Sequence, residues 1–224
     1  PTYKIPFAPV CDDFLDTNGN NNANNNKRDG ISTFDFSATK AIITSLLPIG
    51  QTYTINYYKN EADALAELNV IPDISNYRNI GYPNTQDIWI RIDSDLDNAC
   101  FGIGPYLTLN VEALPFANAV TIPRQCDDNA DGIFTFNTAN LESNVLNGQL
   151  NKTVTYFDQA NNPLKDANGV LITSPFPANF TSTSQTIKVV VTNNTPQLCF
   201  DETLITFIVD DAPEAFPVSP SLTT

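Results

Sequence analysis

The sequence predicts an all-β protein built as two β-sandwiches in tandem. Three observations carry that reading: an internal repeat over nearly the whole chain, a period-two apolar alternation common to both copies, and turn residues that punctuate the alternating runs. The repeat is visible from "CDDFLDTNGNNNANNNKRDGISTF" (11–34) against "CDDNADGIFTF" (126–136) and from "YTINYYKN" (53–60) against "TVTYFDQ" (153–159). It continues through "QDIWIRIDSDLDNACF" (86–101) against "QTIKVVVTNNTPQLCF" (185–200), and "PYLTLNVEALP" (105–115) against "TLITFIVDDAP" (203–213). The first copy differs by an Asn-rich insertion at 18–26. The predicted domains are therefore residues 1–115 and 116–224, joined within the Pro-punctuated "EALPFANAVTIP" (112–123).

The matched strands show which face points inward. Ile88, Ile90 and Ile92 match Ile187, Val189 and Val191, whereas Trp89 and Arg91 match Lys188 and Val190. One face stays apolar in both copies and the other does not, which is the pattern of a half-buried strand. Leu107, Leu109 and Val111 match Ile205, Phe207 and Val209 in the same way, and Ile55 and Tyr57 match Val154 and Tyr156. Asn147-Gly148, Asn168-Gly169, Pro48 and Pro163 mark turns. Short helical turns are expected at 38–47 and 61–68, as crossovers between sheets.

Composition narrows the function classes. The 224 residues carry 25 Asp and Glu against 11 Lys and Arg, a formal charge of −14. That balance offers no basic patch for nucleic acid and suits divalent cations or solubility. The chain has no histidine, which removes the commonest general base and the Ser-His and Cys-His nucleophile pairs. No apolar run is long enough to insert in a membrane. A start at Pro1, with no methionine anywhere, reads as an excised piece of a longer protein.

Cys11, Cys100, Cys126 and Cys199 allow three pairings. The repeat favours one pair within each domain, Cys11–Cys100 and Cys126–Cys199, and with it an oxidising, extracytoplasmic setting. The other reading is four reduced core cysteines; with no Cys-x-x-Cys spacing, a thiolate metal site is disfavoured.

The acidic loops are the candidate metal sites. Asp127, Asp128, Asn129 and Asp131 put hard oxygen ligands in a turn closed by Gly132, a set that suits calcium. The first copy offers Asp12, Asp13, Asp16, Asn18 and Asp29 around its insertion. Asp93, Asp95 and Asp97 alternate in a further loop that the second copy lacks. The competing reading is ordinary turn chemistry, in which Asp and Asn side chains cap their own backbone. These acids sit in local turns, so a glycosidase-like carboxylate pair is not expected and the chain is read as non-catalytic. Trp89, Tyr58 and Tyr82 are the candidates for a sugar-stacking platform, against the plainer reading of a covered outer sheet face.

The ordered set of Cys-Asp-Asp, Asp-Gly, an aromatic strand, "GQ", "YY" or "YF", the alternating Gln-initiated strand and a final cysteine resembles the repeats of SprB-like gliding adhesins. These are very large cell-surface proteins exported by the type IX secretion system. The resemblance covers nearly the whole chain, twice. It implies two tandem immunoglobulin-like domains in a surface filament. The implied partners are neighbouring repeats, the gliding and secretion machinery, and a substratum or surface polysaccharide. A surface-adhesin repeat module, with calcium at the acidic loops, is therefore the expected function. The alternatives are a passive stalk, or a carbohydrate-binding module of an exported glycan-degrading enzyme.

Overall fold

The computed structural model describes residues 3–211, and of residues 97–101 the backbone only. The chain divides into two compact units, Pro1–Leu114 with Thr195–Cys199, and Pro115–Asn194 with Phe200–Thr224. Five residues of the second repeat thus belong to the first unit.

In unit 1 the elements follow in the order β1 (Val10–Cys11), β2 (Thr33–Phe34), α1 (Thr39–Leu46), β3 (Tyr53–Tyr58), α2 (Glu61–Ala66), β4 (Tyr77–Arg78), β5 (Thr85–Ser94) and β6 (Asp97–Glu112). One sheet has the order β1-β6-β5-β3 and the facing one pairs β2 with β4. β1 runs parallel to β6, and the remaining pairs are antiparallel. A first strand lying parallel to the last, with the last three pairing strands in one sheet and two short strands opposite, is an immunoglobulin-like sandwich. Tyr57, Ile88, Ile90, Leu107 and Leu109 of the larger sheet are buried against Phe34, Phe36 and Tyr77. Phe36 lies 5.6 Å from the Tyr57 ring and 5.7 Å from Tyr77.

Both crossovers are short and helical. α1 leads from β2 into the sheet of β3, and α2 leads from β3 back to β4. Asn60 caps α2 by accepting the Asp63 N–H at 2.9 Å, and Glu61 and Asp63 place negative charge in its first turn. Glu67 ends it in the left-handed region.

Unit 2 repeats the plan with β7 (Gln125–Cys126), β8 (Phe134–Asn137), α3 (Leu141–Leu146), β9 (Lys152–Phe157), β10 (Asn179–Ser182), β11 (Gln185–Asn193), β12 (Phe200–Phe207) and β13 (Val209–Asp210). β12-β11-β9 form one sheet, β8 pairs with β10, and β7 runs parallel to β13. Registers coincide between the copies: Ile55↔Ile92 and Tyr57↔Ile90 correspond to Val154↔Val191 and Tyr156↔Val189. The inward Tyr hydroxyl is satisfied twice by different means. Tyr57 shares a hydrogen bond with Thr39 at 3.0 Å, whereas Tyr156 donates to Glu142 at 2.6 Å. Burial, followed by the Glu142 hydrogen bond and charge, pushes the Tyr156 phenol well above its ordinary range. Glu142 also accepts from Ser174 and from the Phe176 N–H, each at 2.7 Å.

The β5–β6 ladder slips twice, between Ile88 and Ile90 and between Asp93 and Ser94, where the β11–β12 ladder runs in regular register. At the first slip Ile88 pairs with Leu107 and Ile90 with Gly104, so β6 carries an extra residue at Pro105. A proline has no N–H for the ladder and fits such a bulge. A Cβ at Gly104 would lie 2.7 Å from the Tyr106 ring, so a larger residue there would have to displace that ring.

Candidate functional site

The cysteines are placed by strand order. In each repeat the first cysteine sits on the short strand that runs alongside the end of the last strand. Cys11 is opposite Glu112, and Cys126 is opposite Asp210. The second cysteine of each repeat lies at the other end of that last strand: Cys100 is near the start of β6, and Cys199 immediately precedes β12. At about 3.3 Å per residue, 11 or 12 residues of strand separate the two by roughly 35–40 Å. A disulfide needs Cα atoms within about 7 Å. The pairs expected from the repeat, Cys11–Cys100 and Cys126–Cys199, are therefore ruled out by the sandwich topology itself.

The bond that forms is Cys11–Cys199, with Cα atoms 5.4 Å apart across a separation of 188 residues. Cys199 is buried, at 1% exposure. The loop that carries it, Thr195–Cys199, is closed by the Leu198 N–H donating to the Thr195 carbonyl at 3.1 Å, with Leu198 in the left-handed region. The Thr195 hydroxyl donates to Glu112 Oε1 at 2.7 Å, beside the bonded Cys11. Cys126 is an exposed free thiol. The side chains of Cys100 and Asp97 lie outside the described residues.

The acidic loops are self-capped turns. Asp127 is buried, and its carboxylate accepts the N–H groups of Asn129 (3.2 Å), Ala130 (2.9 Å) and Gly132 (2.5 Å). Asp131 accepts the Ile133 N–H at 2.8 Å and the Asn129 amide at 2.9 Å, and Asp128 is exposed. In unit 1 the insertion supplies a second such turn. Asp16 accepts the N–H groups of Asn18 and Asn20 at 2.9 and 2.7 Å and the Asn22 amide at 2.6 Å. Asp13 pairs with Arg78 at 2.6 Å, and Asp29 caps Ile31 at 2.9 Å. Asp93 binds Arg91, and Asp95 accepts from Thr54 at 3.0 Å. Among the described residues, no three acidic or cysteine side chains converge as a metal-ligand group. A cation at these loops would compete with N–H donors already in place. The expected result is that millimolar calcium and chelator leave the melting temperature unchanged. A rise of several degrees that Asp131→Ala abolishes would put calcium in the second-copy turn.

The repeat-equivalent aspartates Asp12 and Asp127 differ in electrostatics. Asp127 is held below the ordinary carboxylate range, chiefly by the Gly132 N–H and then by those of Asn129, Ala130 and Asp131. Asp12 keeps the equivalent Gly30 N–H at 3.0 Å with a lesser pull from the Asp13 N–H, and its other oxygen has no hydrogen-bond partner. Burial, with Asp29 and Asp13 nearby, raises it. The signs follow. The Asp127 turn contributes stability above the unfolded aspartate pKa and loses it as pH falls through the lower folded value. The charged form of Asp12 costs stability, and that cost is relieved as pH falls through its raised value. Carboxyl-carbon NMR titration should place Asp12 above, and Asp127 below, the ordinary aspartate midpoint. Coincident midpoints would contradict both assignments.

The aromatic platform does not assemble. Tyr58 and Trp89 are cross-strand partners on the outer face, but Tyr58 is fully buried. α2 lies against β3, β5 and β6, and Glu67 at its end reaches Arg91 at 2.8 Å, so this face is roofed by the helix. Trp89 and Tyr82 are only partly exposed. The sequence reading missed Asn79, buried at 1% exposure. It accepts the Ser32 N–H at 2.8 Å and donates to the carbonyls of Gly30 and Tyr82, each at 2.9 Å. Nothing in its local sequence marks it, since its partners are 3 to 49 residues away.

A family model described as "Flavobacterium inter-domain disulphide bond domain" (FIDD) matches residues 9–115 and again 123–213. No curated protein matches the sequence. Among solved structures, the chain is similar to Dpr2 Ig1-Ig2 in complex with DIP-Theta Ig1-Ig3, at TM-score 0.25 and 9% identity over 71% of this chain and 57% of that one. It is also similar to Sidekick-1 immunoglobulin domains 1–5, at TM-score 0.24 and 11% identity over 86% and 40%. The chain thus spans less than two thirds of either. At these scores the likeness carries no argument, and the fold assignment rests on strand order and register.

Proposed function

The chain belongs to the Flavobacterium inter-domain disulphide bond domain family, and from that premise we propose that it is a non-catalytic, load-bearing repeat module of a large cell-surface adhesin. The carrying observation is the Cys11–Cys199 bond, which joins the first matched segment to the second. A disulfide of this kind belongs to an oxidising, non-cytoplasmic compartment. The surface location, a role in gliding and export by type IX secretion extend that finding along the resemblance of the repeats. A stalk function is favoured over sugar binding because Tyr58, needed for the stacking platform, is buried under α2. A non-catalytic role is supported by the absence of histidine and by the engagement of most loop carboxylates as backbone caps or ion-pair partners.

Mechanically, the bond shields the residues between positions 11 and 199 from a pull on the chain ends. Single-molecule stretching tests this. Reduction should release an additional extension of up to about 620–680 Å, from the 188-residue separation at about 3.3–3.6 Å per residue. Equal extensions before and after reduction would remove the load-bearing role.

A further inference from the structure

The stretch from β3 to β4 and its counterpart from β9 to β10 are laid out differently. Ile71 and Leu164 are equivalent points within them. Each is buried, and each donates its N–H to the carbonyl of the inward tyrosine, Ile71 to Tyr57 at 2.8 Å and Leu164 to Tyr156 at 3.0 Å. Between Tyr57 and Ile71 the first copy has 13 residues, which include α2, whereas between Tyr156 and Leu164 the second has 7 and no helix. Beyond these points the lengths reverse. Only 5 residues separate Ile71 from Tyr77 of β4, whereas 15 separate Leu164 from Phe180 of β10. In unit 2 the added residues fold back as a hairpin in which Lys165 bridges Leu171, and the Ala167 N–H donates to the Thr181 carbonyl at 3.0 Å. That hairpin covers the outer edge of β10.

Unit 1 has no counterpart to the hairpin. Its registers match, with Thr33↔Arg78 and Phe34↔Tyr77 for Thr135↔Thr181 and Phe136↔Phe180. In an antiparallel ladder alternate residues turn their N–H and C=O away from the partner strand. Arg78, like Thr181, therefore directs both away from β2, and among the described residues no backbone group pairs with them there. A groove of about 730 Å³ runs here, lined by Asn76, β4, Ile80 and the stretch from Val70 to Asp73. Val70 and Ile80 are each 41% exposed, so both offer apolar surface to an occupant. Of the two cations at the groove, Arg78 is paired with Asp13, whereas Lys59 lies over the Tyr77 ring at 5.9 Å and has no carboxylate partner among the described residues. The acids are engaged: Asp63 accepts the amides of Asn60 and Asn69 at 2.7 and 2.8 Å, and Asp73 accepts the N–H and hydroxyl of Ser75 at 2.9 and 2.6 Å.

We propose that the β4 edge of unit 1 takes an extended, acidic peptide of a partner protein as an added strand. An open edge offers main-chain hydrogen bonds to an extended chain, and alternate side-chain contacts select which chain it is. The second copy shows the chemistry of the occupant, a backbone N–H set on the carbonyl of the equivalent strand residue. In the first copy the Arg78 backbone makes that pair, an apolar side chain of the peptide covers Val70 and Ile80, and its carboxylate meets Lys59. β4 is two residues long, so few backbone bonds form and the side-chain contacts set the affinity. A sugar would find no ring to stack on at β4, since Tyr77 is buried. The site lies within unit 1 and is independent of the load-bearing reading, which the stretching experiment tests.

The test uses the whole oxidised chain and a phage-displayed library of short random peptides. Selected peptides should carry Asp or Glu among alternating apolar residues. Synthetic copies should bind about fivefold more weakly to Lys59→Glu and should lose binding to Val70→Arg. Both positions are exposed, and the variants' circular dichroism should match that of the parent. Methylating the one peptide nitrogen that pairs with Arg78 should weaken binding about two- to tenfold, and bound peptide should slow hydrogen exchange at the Arg78 N–H. The proposal is overturned if no peptide is enriched, if the selected peptides bind parent and variants alike, or if Arg78 exchange is unchanged in the complex. A glycan-array signal that Val70→Arg abolishes and no peptide displaces also overturns it, and makes the groove a sugar site.

Discussion

Cys11→Ser or Cys199→Ser is expected to lower the stability of the oxidised chain by about 5 kcal/mol. The bond closes a loop of 188 residues, and the chain-entropy relation gives about 5 kcal/mol for that length at room temperature. Urea titration of the oxidised proteins reads the loss directly. The double substitution should cost no more than either single one, because both remove the same constraint. Cys126→Ser in the same chain should be silent, since that thiol is exposed and unbonded. Reduction of the unsubstituted protein should reproduce the loss. If the oxidised and reduced proteins unfold at the same urea concentration, the bond does not constrain the unfolded chain and the load-bearing proposal loses its energetic basis.

The strand faces were legible because two copies of one pattern were available. Ile88 and Ile187, or Leu109 and Phe207, are apolar at equivalent positions, and all four are fully buried. The bulge leaves a trace in the spacing of the repeat that the sequence reading did not use. Cys100 and Cys199 differ by 99 positions whereas Leu107 and Ile205 differ by 98, and the missing residue is the slip at Pro105. The disulfide was not legible. Repeat equivalence identifies which cysteines correspond, but pairing depends on the first strand lying parallel to the last, which puts equivalent partners at opposite ends of one strand. For Tyr58 the structure has the plainer of the two readings, a covered outer face. Alternation with Tyr57 assigns it to the outer face correctly, yet six-residue α2 is too short for its own pattern to announce that it roofs that face. Asp12 and Asp127 share a motif but not an environment, because the insertion carries its own capping aspartate, Asp16, and leaves Asp12 with fewer N–H donors than the Asp127 turn supplies.

Phe207→Ala is expected to destabilise unit 2 by about 3–5 kcal/mol, the range for removing a buried phenylalanine from a packed core. The ring is fully buried on β12, 5.0 Å from Phe136 and 5.1 Å from Phe180. It thereby joins the two strands of the smaller sheet, β8 and β10, to the larger one. Phe180 continues to Phe176 at 5.2 Å, and Phe176 to Tyr156 at 4.7 Å, so one aromatic row crosses the sandwich and ends near the Glu142 cluster. Losing the central ring leaves a cavity where both sheets meet, and edge-to-face pairs of this kind add about 0.5–1.5 kcal/mol beyond area burial. Phe207→Leu retains most of the volume and should cost clearly less. The equivalent position in unit 1 is Leu109, in a separate core, so the loss should appear in the unfolding of unit 2 alone. Domain stabilities are commonly about 5–15 kcal/mol, which makes this one substitution a large fraction of the total. Urea unfolding followed by near-ultraviolet circular dichroism decides it. A cost below about 1 kcal/mol for Phe207→Ala would show that the aromatic row does not hold the two sheets together.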